Sequence, residues 1–276
     1  MSDIARDLLI IGVALLTSTI GSIGGLGGAI LLVPLLTLGD MTIAQAAPLG
    51  LVSVIAGSVA AGRRQTDDGI VNHRFGIVTE LGATSGAIIG VLLAGTLSNT
   101  ALTLVLAVVA LAAGVGGAWR RGVRWKPDPS LAINEVGERH GSLSGAYRLN
   151  GQVVPYAPTR ITLGVILMAA SGVITGLAGV GGGFLKTPLS SEVMRLPAKV
   201  AAGTSTFTIG LTATTALLLM AIDGRVDVSD AALVVLGALA GGTIGSGLQR
   251  RMSPQLVRRA TSLVLVAIAV VLVVRA

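Results

Sequence analysis

The sequence has few charged residues, and this scarcity excludes a protein that faces water on all sides. Only 12% of its 276 residues are charged, 52% are hydrophobic, and the mean hydropathy is +0.84. Soluble domains carry about 25% charged residues, because polar side chains must cover the surface that contacts water. Most of this chain is therefore expected to face lipid.

Cysteine is absent and histidine is rare, so several kinds of site are excluded or disfavoured. A chain with no cysteine has no disulfide or thiolate metal site, and two histidines do not make a histidine-rich metal centre. The sequence shows no H-E-x-x-H motif, no paired-carboxylate or Cys/His arrangement and no Walker lysine pattern. We therefore expect no enzyme, no cofactor and no bound metal.

The excess of basic residues does not indicate a nucleic-acid partner. The formal net charge is +7 and the pI is near 11. In membrane proteins, however, lysine and arginine collect in cytoplasmic loops. We therefore expect the partners to be a lipid bilayer and a small solute, with no nucleic acid, and leave a homodimer as an open possibility.

Four long stretches carry no charge at all, namely residues 8–39, 81–119, 161–185 and 200–222. A spanning helix needs about 20 apolar residues, so these stretches predict an all-α polytopic protein of the cell inner (plasma) membrane. The first stretch lacks a basic leader and a small-residue cleavage site. We expect it to be a retained membrane segment.

The chain matches itself at a nearly constant offset. GLGGAILLVP at 25–34 aligns with GVGGGFLKTP at 179–188, and GATSGAIIG at 82–90 aligns with GALAGGTIG at 237–245. Such self-similarity indicates a duplication. It predicts a first transmembrane repeat over 1–119, a polar cytoplasmic insert over 120–159 and a second repeat over 160–276.

Loop charges predict that the two repeats have opposite orientations. The loop after residue 62 carries Arg63 and Arg64, whereas its counterpart at 223–230 is mostly acidic. The loop at 97–100 is uncharged, whereas its counterpart carries Arg250 and other arginines. Since positive loops mark the cytoplasmic side, the pattern is typical of inverted-topology repeats with broken or re-entrant helices at their interface.

Five helical segments are predicted in each half, and the second of each is too short to span the membrane comfortably. Whether these two segments cross or are re-entrant stays open. In the insert, Asn150-Gly151 lies between strand-like stretches and favours a β-hairpin, with a disordered linker as the alternative. The predicted segments are 8–23, 26–38, 43–62, 74–96, 100–118, 160–178, 181–190, 198–221, 231–248 and 255–274.

The paired glycine blocks are the strongest candidate binding site. Interior glycines weaken a helix, and broken helices at membrane depth present free N–H groups and a positive dipole end to an anion. Close packing of helices through small residues is the alternative. The candidate substrate-binding residues are Gly25, Gly27, Gly28, Gly179, Gly181, Gly182, Gly183, Lys186, Thr204, Ser205, Thr206 and Ser53.

Individual side chains allow two interpretations each. Lys186 could neutralise an anion, or it could extend to the cytoplasmic interface. Glu80 could carry a coupling proton, or it could pair with His73 or Arg74 at the interface. The hydroxyl residues could line a polar path or bond their own helix. The missing N–H groups of Pro34 and Pro188 predict that these prolines end or kink the short helices.

The G-x-G-G-[GA]-x-L-x-x-P block, present once per half and followed by alanine-rich segments at 44–47 and 198–202, resembles the sulfite exporter TauE/SafE family. The resemblance implies a secondary transporter that exports small sulfur-containing anions, such as sulfite, sulfoacetate or taurine-like sulfonates, by alternating access. A passive anion channel and a membrane sensor or accessory subunit have the same sequence features and stay as alternatives.

Overall fold

The computed structural model describes residues 3–24, 27–39, 41–119, 135–149, 151–248 and 254–275. Within these ranges the ten predicted helical segments are confirmed, with ends that differ by a few residues. The helices are α1 (Asp3–Gly24), α2 (Ala29–Leu38), α3 (Ile43–Asp67), α4 (His73–Ala94), α5 (Asn99–Trp119), α6 (Ile161–Ala178), α7 (Gly183–Pro188), α8 (Ala198–Ile222), α9 (Val228–Leu248) and α10 (Pro254–Arg275).

Seven of the described helices (α1, α3, α4, α5, α6, α8 and α9) are long and apolar enough to cross a membrane. The chain is therefore an all-α, multi-pass membrane protein. The second helix of each half is different. The ten residues of α2 span about 15 Å, half of the roughly 30 Å hydrocarbon core. Helix α7 has six residues and continues into a π-helical turn, Leu189–Val193.

Helix packing repeats when the two halves are exchanged. Helix α1 packs on α9, and its counterpart α6 packs on α4. Helix α3 packs on its own counterpart α8, and α5 packs on α10. Each large contact between the halves therefore either joins a helix to its own counterpart or occurs a second time between the two counterpart helices. A two-fold arrangement requires this pattern.

Glycines allow the helices to approach closely at these contacts. A Cβ added to Gly86 of α4 would collide with the carbonyl oxygen of Ala169 in α6, and one added to Gly241 of α9 would collide with that of Leu15 in α1. The two glycines, Gly86 and Gly241, lie 155 positions apart, and the two residues they contact, Leu15 and Ala169, lie 154 apart. These separations agree with the offsets of the sequence match. Only glycine allows the two backbones to approach this closely.

Contacts at the helix ends agree with the sides assigned from loop charges. Arg6, in the N-terminal part of α1, forms a 2.7 Å ion pair with Asp230 at the start of α9. The acidic loop at 223–230 is expected on the outer side, and so is the N-terminal end of α1, which carries two aspartates and one arginine. The loop between α3 and α4 contacts the insert, and both are predicted to be cytoplasmic: Asn72 donates a hydrogen bond to the Leu143 carbonyl. The opposite membrane orientation of the halves stays a prediction.

The described part of the insert forms a small antiparallel sheet of β1 (Gly137–Glu138), β2 (Gly145–Leu149) and β3 (Gln152–Tyr156). Leu149 pairs with Gln152 across the turn, where Gly151 has a φ of +83°. The predicted hairpin is therefore confirmed, and the alternative of a disordered linker is wrong for these residues. Inward-facing side chains of the sheet join a hydrophobic cluster with Phe75 of α4 and with Met194 and Leu196.

Candidate transport site

A cavity of about 40 Å³ lies beside the helix break of the first half. One water needs about 10–15 Å³ by the same measure, so the cavity has room for a few waters or one small solute. Its wall is formed by helices α1, α3, α7, α8 and α9 and by the turn that leads into α2, so both halves form it. The lining residues with polar or glycine character are Ser18, Gly21, Ser22, Gly27, Gly28, Ser53, Gly57, Ser58, Gln65, Gly183, Ser205, Thr206 and Ser246.

Helix α2 begins at this cavity. Gly27 has a φ of +80°, in the left-handed region that favours glycine, and Gly28 is the N-cap. Because glycine has no side chain, Gly28 does not cap the helix with a side-chain hydrogen bond. The first N–H groups of a helix have no partner in the helix itself, and the positive end of the helix dipole lies at that end. In α2 the Leu31 and Leu32 N–H groups donate to the Gly28 carbonyl, and Gly28 itself lines the cavity.

Two buried polar atoms at the cavity lack a hydrogen-bond partner among the described residues. They are the Ser205 hydroxyl, on a residue that is 5% exposed, and the Gln65 carbonyl oxygen. A buried unpaired polar group is costly, which makes such groups rare unless water or a ligand binds them. Nearby, the Ser18 and Ser53 hydroxyls bond each other at 3.1 Å. The wall therefore offers both donors and acceptors.

The cavity lies toward one end of the helices that form it. Ala61 and Gln65 come from the C-terminal end of α3, and Ser205 and Thr206 come from the N-terminal half of α8. Arg63 and Arg64 lie between Ala61 and Gln65, at this same end of α3. This is the end that the loop charges assign to the cytoplasm.

The structure brings only part of the predicted set to this cavity. Gly27, Gly28, Gly183, Ser53, Ser205 and Thr206 line it. Other predicted residues have different contacts. Gly179 and Gly181 have φ of +66° and +62° and pack closely on α3, against Ala47 and Val54. Thr204 accepts a 2.9 Å hydrogen bond from the Asn72 N–H.

The remaining predicted residues of the helix breaks take several positions. Gly182 is the N-cap of α7 and lies against the hydroxyls of Ser171 and Thr175. Gly25 lies outside the described residues. Pro188 is the last α-helical residue of α7, and the chain continues from it into the π-helical turn Leu189–Val193. Helix α2 does not end at Pro34 and continues to Leu38.

Lys186 and Glu80 form a buried ion pair between the halves. The Lys186 Nζ lies 2.7 Å from a Glu80 carboxylate oxygen, and the two side chains are 2% and 8% exposed. Thr212 bonds both of them. The interpretation that Lys186 extends to the interface is therefore wrong. The pairing of Glu80 with His73 or Arg74 is also wrong, since those two residues contact Glu138 of the insert instead.

The insert covers the N-terminus of α4 through Glu138. His73 N–H and Arg74 N–H donate to its two carboxylate oxygens at 2.8 and 3.2 Å, and the His73 ring lies 2.7 Å away. Burial raises the pKa of Glu138, but these hydrogen bonds outweigh burial and leave the pKa below its ordinary value. Burial raises the pKa of Tyr156 to about 12, although a hydrogen bond from Asn72 opposes the rise.

Several residues of the site carry little signal in the sequence. Gly57 lines the cavity with open space around its Cβ position, but it stands among the many glycines of a glycine-rich chain. Ser18 and Gln65 do not belong to any motif. Thr212 contacts a charge pair whose two members lie 106 positions apart. Only the depth of Lys186 and Glu80 in apolar segments could have suggested that pair.

Comparison with known proteins decides the family. The sequence model described as "Sulfite exporter TauE/SafE" matches residues 10–272, nearly the whole chain. This chain belongs to the sulfite exporter TauE/SafE family. A relative in the family is the protein named "Probable membrane transporter protein YunE" of Bacillus subtilis (strain 168). It is 23% identical over 270 residues, which cover 95% of each chain. No solved structure matches.

The repeated block of this TauE/SafE chain lies at the start of the short helix in each half. In the first half the block forms the turn into α2 and the wall of the cavity. In the second half it forms the turn into α7, which carries the buried Lys186. Both copies of the motif reach the cavity, the second through Gly183, but only the second leads into a helix with a buried ion pair.

Proposed function

We propose that this TauE/SafE chain is a secondary transporter that exports small sulfur-containing anions, such as sulfite or sulfonates, from the cytoplasm. The cavity at the start of α2 carries the proposal. It combines the N-terminal end of α2, whose N-cap Gly28 lines the cavity, with the Ser205 hydroxyl, which has no hydrogen-bond partner among the described residues, and this combination suits an oxyanion.

The chemistry of the wall supports a compact oxyanion in preference to a cation or a large solute. None of the described residues that line the cavity carries a charge, so recognition rests on hydrogen-bond donors and on the dipole of α2. Sulfite and sulfonate groups present three oxygens in a small volume, and each oxygen accepts hydrogen bonds from several directions. A cavity of about 40 Å³ fits such a headgroup with few waters left.

The position of the cavity supports loading from inside the cell. It lies toward the helix ends beside the basic loops, and such loops mark the cytoplasmic face. Because the two halves both contribute to the wall, a movement of one half against the other would close this entrance and open another. An ion gradient or the gradient of the anion itself would drive the cycle.

Flux into proteoliposomes of purified protein tests the proposal. Sulfite, sulfoacetate, taurine and matched carboxylates are compared as substrates, with the same anions screened for thermal stabilisation in detergent, since a ligand that binds the folded state raises the midpoint. We expect the flux of sulfur anions to saturate with concentration. We also expect unlabelled anion on the opposite side of the membrane to accelerate this flux. Flux that rises linearly with concentration would indicate a channel, and no flux of any anion would contradict transport.

A further inference from the structure

The buried pair of Lys186 and Glu80 is not explained by the cavity. Neither residue lines it, yet each is almost fully enclosed, and Glu80 comes from the first half whereas Lys186 and Thr212 come from the second. An ion pair so far from water is weak evidence for a stabilising role, because desolvation offsets the attraction. Ionisable side chains inside membrane segments more often serve transport.

The repeat relates this cluster to the open cavity. By the offsets of the duplication, Lys186 corresponds to Leu32, Glu80 to Val235 and Thr212 to Gly57. Gly57 lines the cavity and has open space at its Cβ position. The other two counterparts, Leu32 and Val235, belong to the hydrophobic core. The positions that correspond to the cluster are therefore uncharged, whereas the cluster itself has Glu80 as an internal anion beside the one buried ammonium group of the described chain.

We propose that the Glu80 carboxylate holds the place of a substrate anion on Lys186, and that Glu80 takes up a proton when a sulfonate or hydrogensulfite displaces it. This inference rests on the proposed function, and it adds a second anion position, on Lys186, to the one in the cavity at the start of α2. Thr212, which contacts both partners, is a positioning residue that holds either arrangement.

Charge balance leads to this coupling. The Lys186–Glu80 pair is neutral. A second anion on Lys186 would leave one uncompensated negative charge in a region of low dielectric, which is costly. If Glu80 binds a proton from water as its bond to Lys186 breaks, the loaded site is neutral again. One proton then moves with each monovalent anion, so the transported unit has no net charge. Export of this unit is driven by the outward concentration gradient of the anion and not by the membrane potential.

Other titratable groups are remote from the pair. Helix α6 has none, and α8 carries only Lys199 at its first turn, with Asp223 just past its end. On α4 the others are His73 and Arg74, which contact Glu138. The π-helical turn after α7 carries the exposed Glu192. Glu80 is therefore the acid placed to compensate Lys186.

The test uses proteoliposomes loaded with a pH-sensitive dye, and its probe is isethionate, a sulfonate with a single fixed negative charge. Wild-type protein is expected to move one proton with each isethionate. A gradient of one pH unit should sustain about tenfold accumulation, and an imposed potassium-diffusion potential should leave the flux unchanged. In Glu80→Gln the proton movement is expected to vanish and the flux to follow the imposed potential. Glu192→Gln is the matched control and should behave as wild type.

The outcomes separate the two proposals. If wild-type protein moves neither isethionate nor sulfite, the proposed function fails. If it moves either anion but with a voltage-dependent flux and no proton, this inference fails while transport stands. Retained proton movement in Glu80→Gln would likewise overturn it. The wild-type voltage measurement suffices even if the variant does not fold, and it applies to sulfite as well as to isethionate.

Discussion

Removing one partner of the Lys186–Glu80 pair should destabilise the protein more than removing both. The side chains are 2% and 8% exposed and lie 2.7 Å apart, so Glu80→Gln leaves a buried ammonium group and Lys186→Met leaves a buried carboxylate. Breaking a buried pair in this way costs about 3–5 kcal/mol. At about 2–4 °C per kcal/mol, the unfolding midpoint should fall by roughly 6–20 °C.

The double variant tests the physical reason. Removing both charges leaves no uncompensated ion, and replacing a buried pair by neutral groups is often close to neutral in stability. Glu80→Gln with Lys186→Met should therefore unfold at a higher temperature than either single variant. Unfolding is followed by intrinsic fluorescence in detergent, since a chain with no cysteine does not react with thiol dyes. Midpoint losses that simply add in the double variant would refute the reasoning.

Three further predictions follow from the packing and from the insert. Gly86→Ala should separate α4 from α6 at a cost of about 1–3 kcal/mol, whereas Gly12→Ala, which meets open space, should leave the unfolding midpoint nearly unchanged. Burial raises the pKa of both tyrosines, Tyr147 and Tyr156, so an absorbance titration of the folded protein should show phenolate at higher pH than free tyrosine does. Asn72→Ala should remove the N-cap of α4 and lower the stability of the protein by about 1 kcal/mol. The same variant should speed protease cleavage of the insert, and an unchanged cleavage rate would contradict the docking of the insert through this residue.

The sequence was sufficient for the architecture because hydropathy and glycine spacing act locally. The ten helices follow from apolar runs, and the turn at Gly151 follows from the φ above zero that Asn-Gly favours. Ends were less predictable. Helix α1 begins at Asp3 and α3 continues to Asp67, since a helix can extend past the apolar run once its end lies among polar headgroups.

The site was only partly predictable, because it depends on contacts across the repeat. Thr204 and Ser205 are neighbours in one hydroxyl-rich segment, yet the first bonds Asn72 and the second lines the cavity. Consecutive residues of a helix point in different directions, and the sequence does not show which of these directions faces a cavity and which faces another helix. The partners of Lys186 could not be read from its own segment, since Glu80 lies on a helix of the other half.

The central claim, that the cavity at the start of α2 is the transport site, is tested most directly by filling it. Gly57→Val and Gly12→Val place the same side chain at two glycines whose Cβ positions are open, but only Gly57 lines the cavity. Sulfite flux is measured in proteoliposomes at matched protein density and after equal thermal stability has been verified. The account predicts that Gly57→Val abolishes flux while Gly12→Val retains it. Equal flux in the two variants would contradict the assignment of the site.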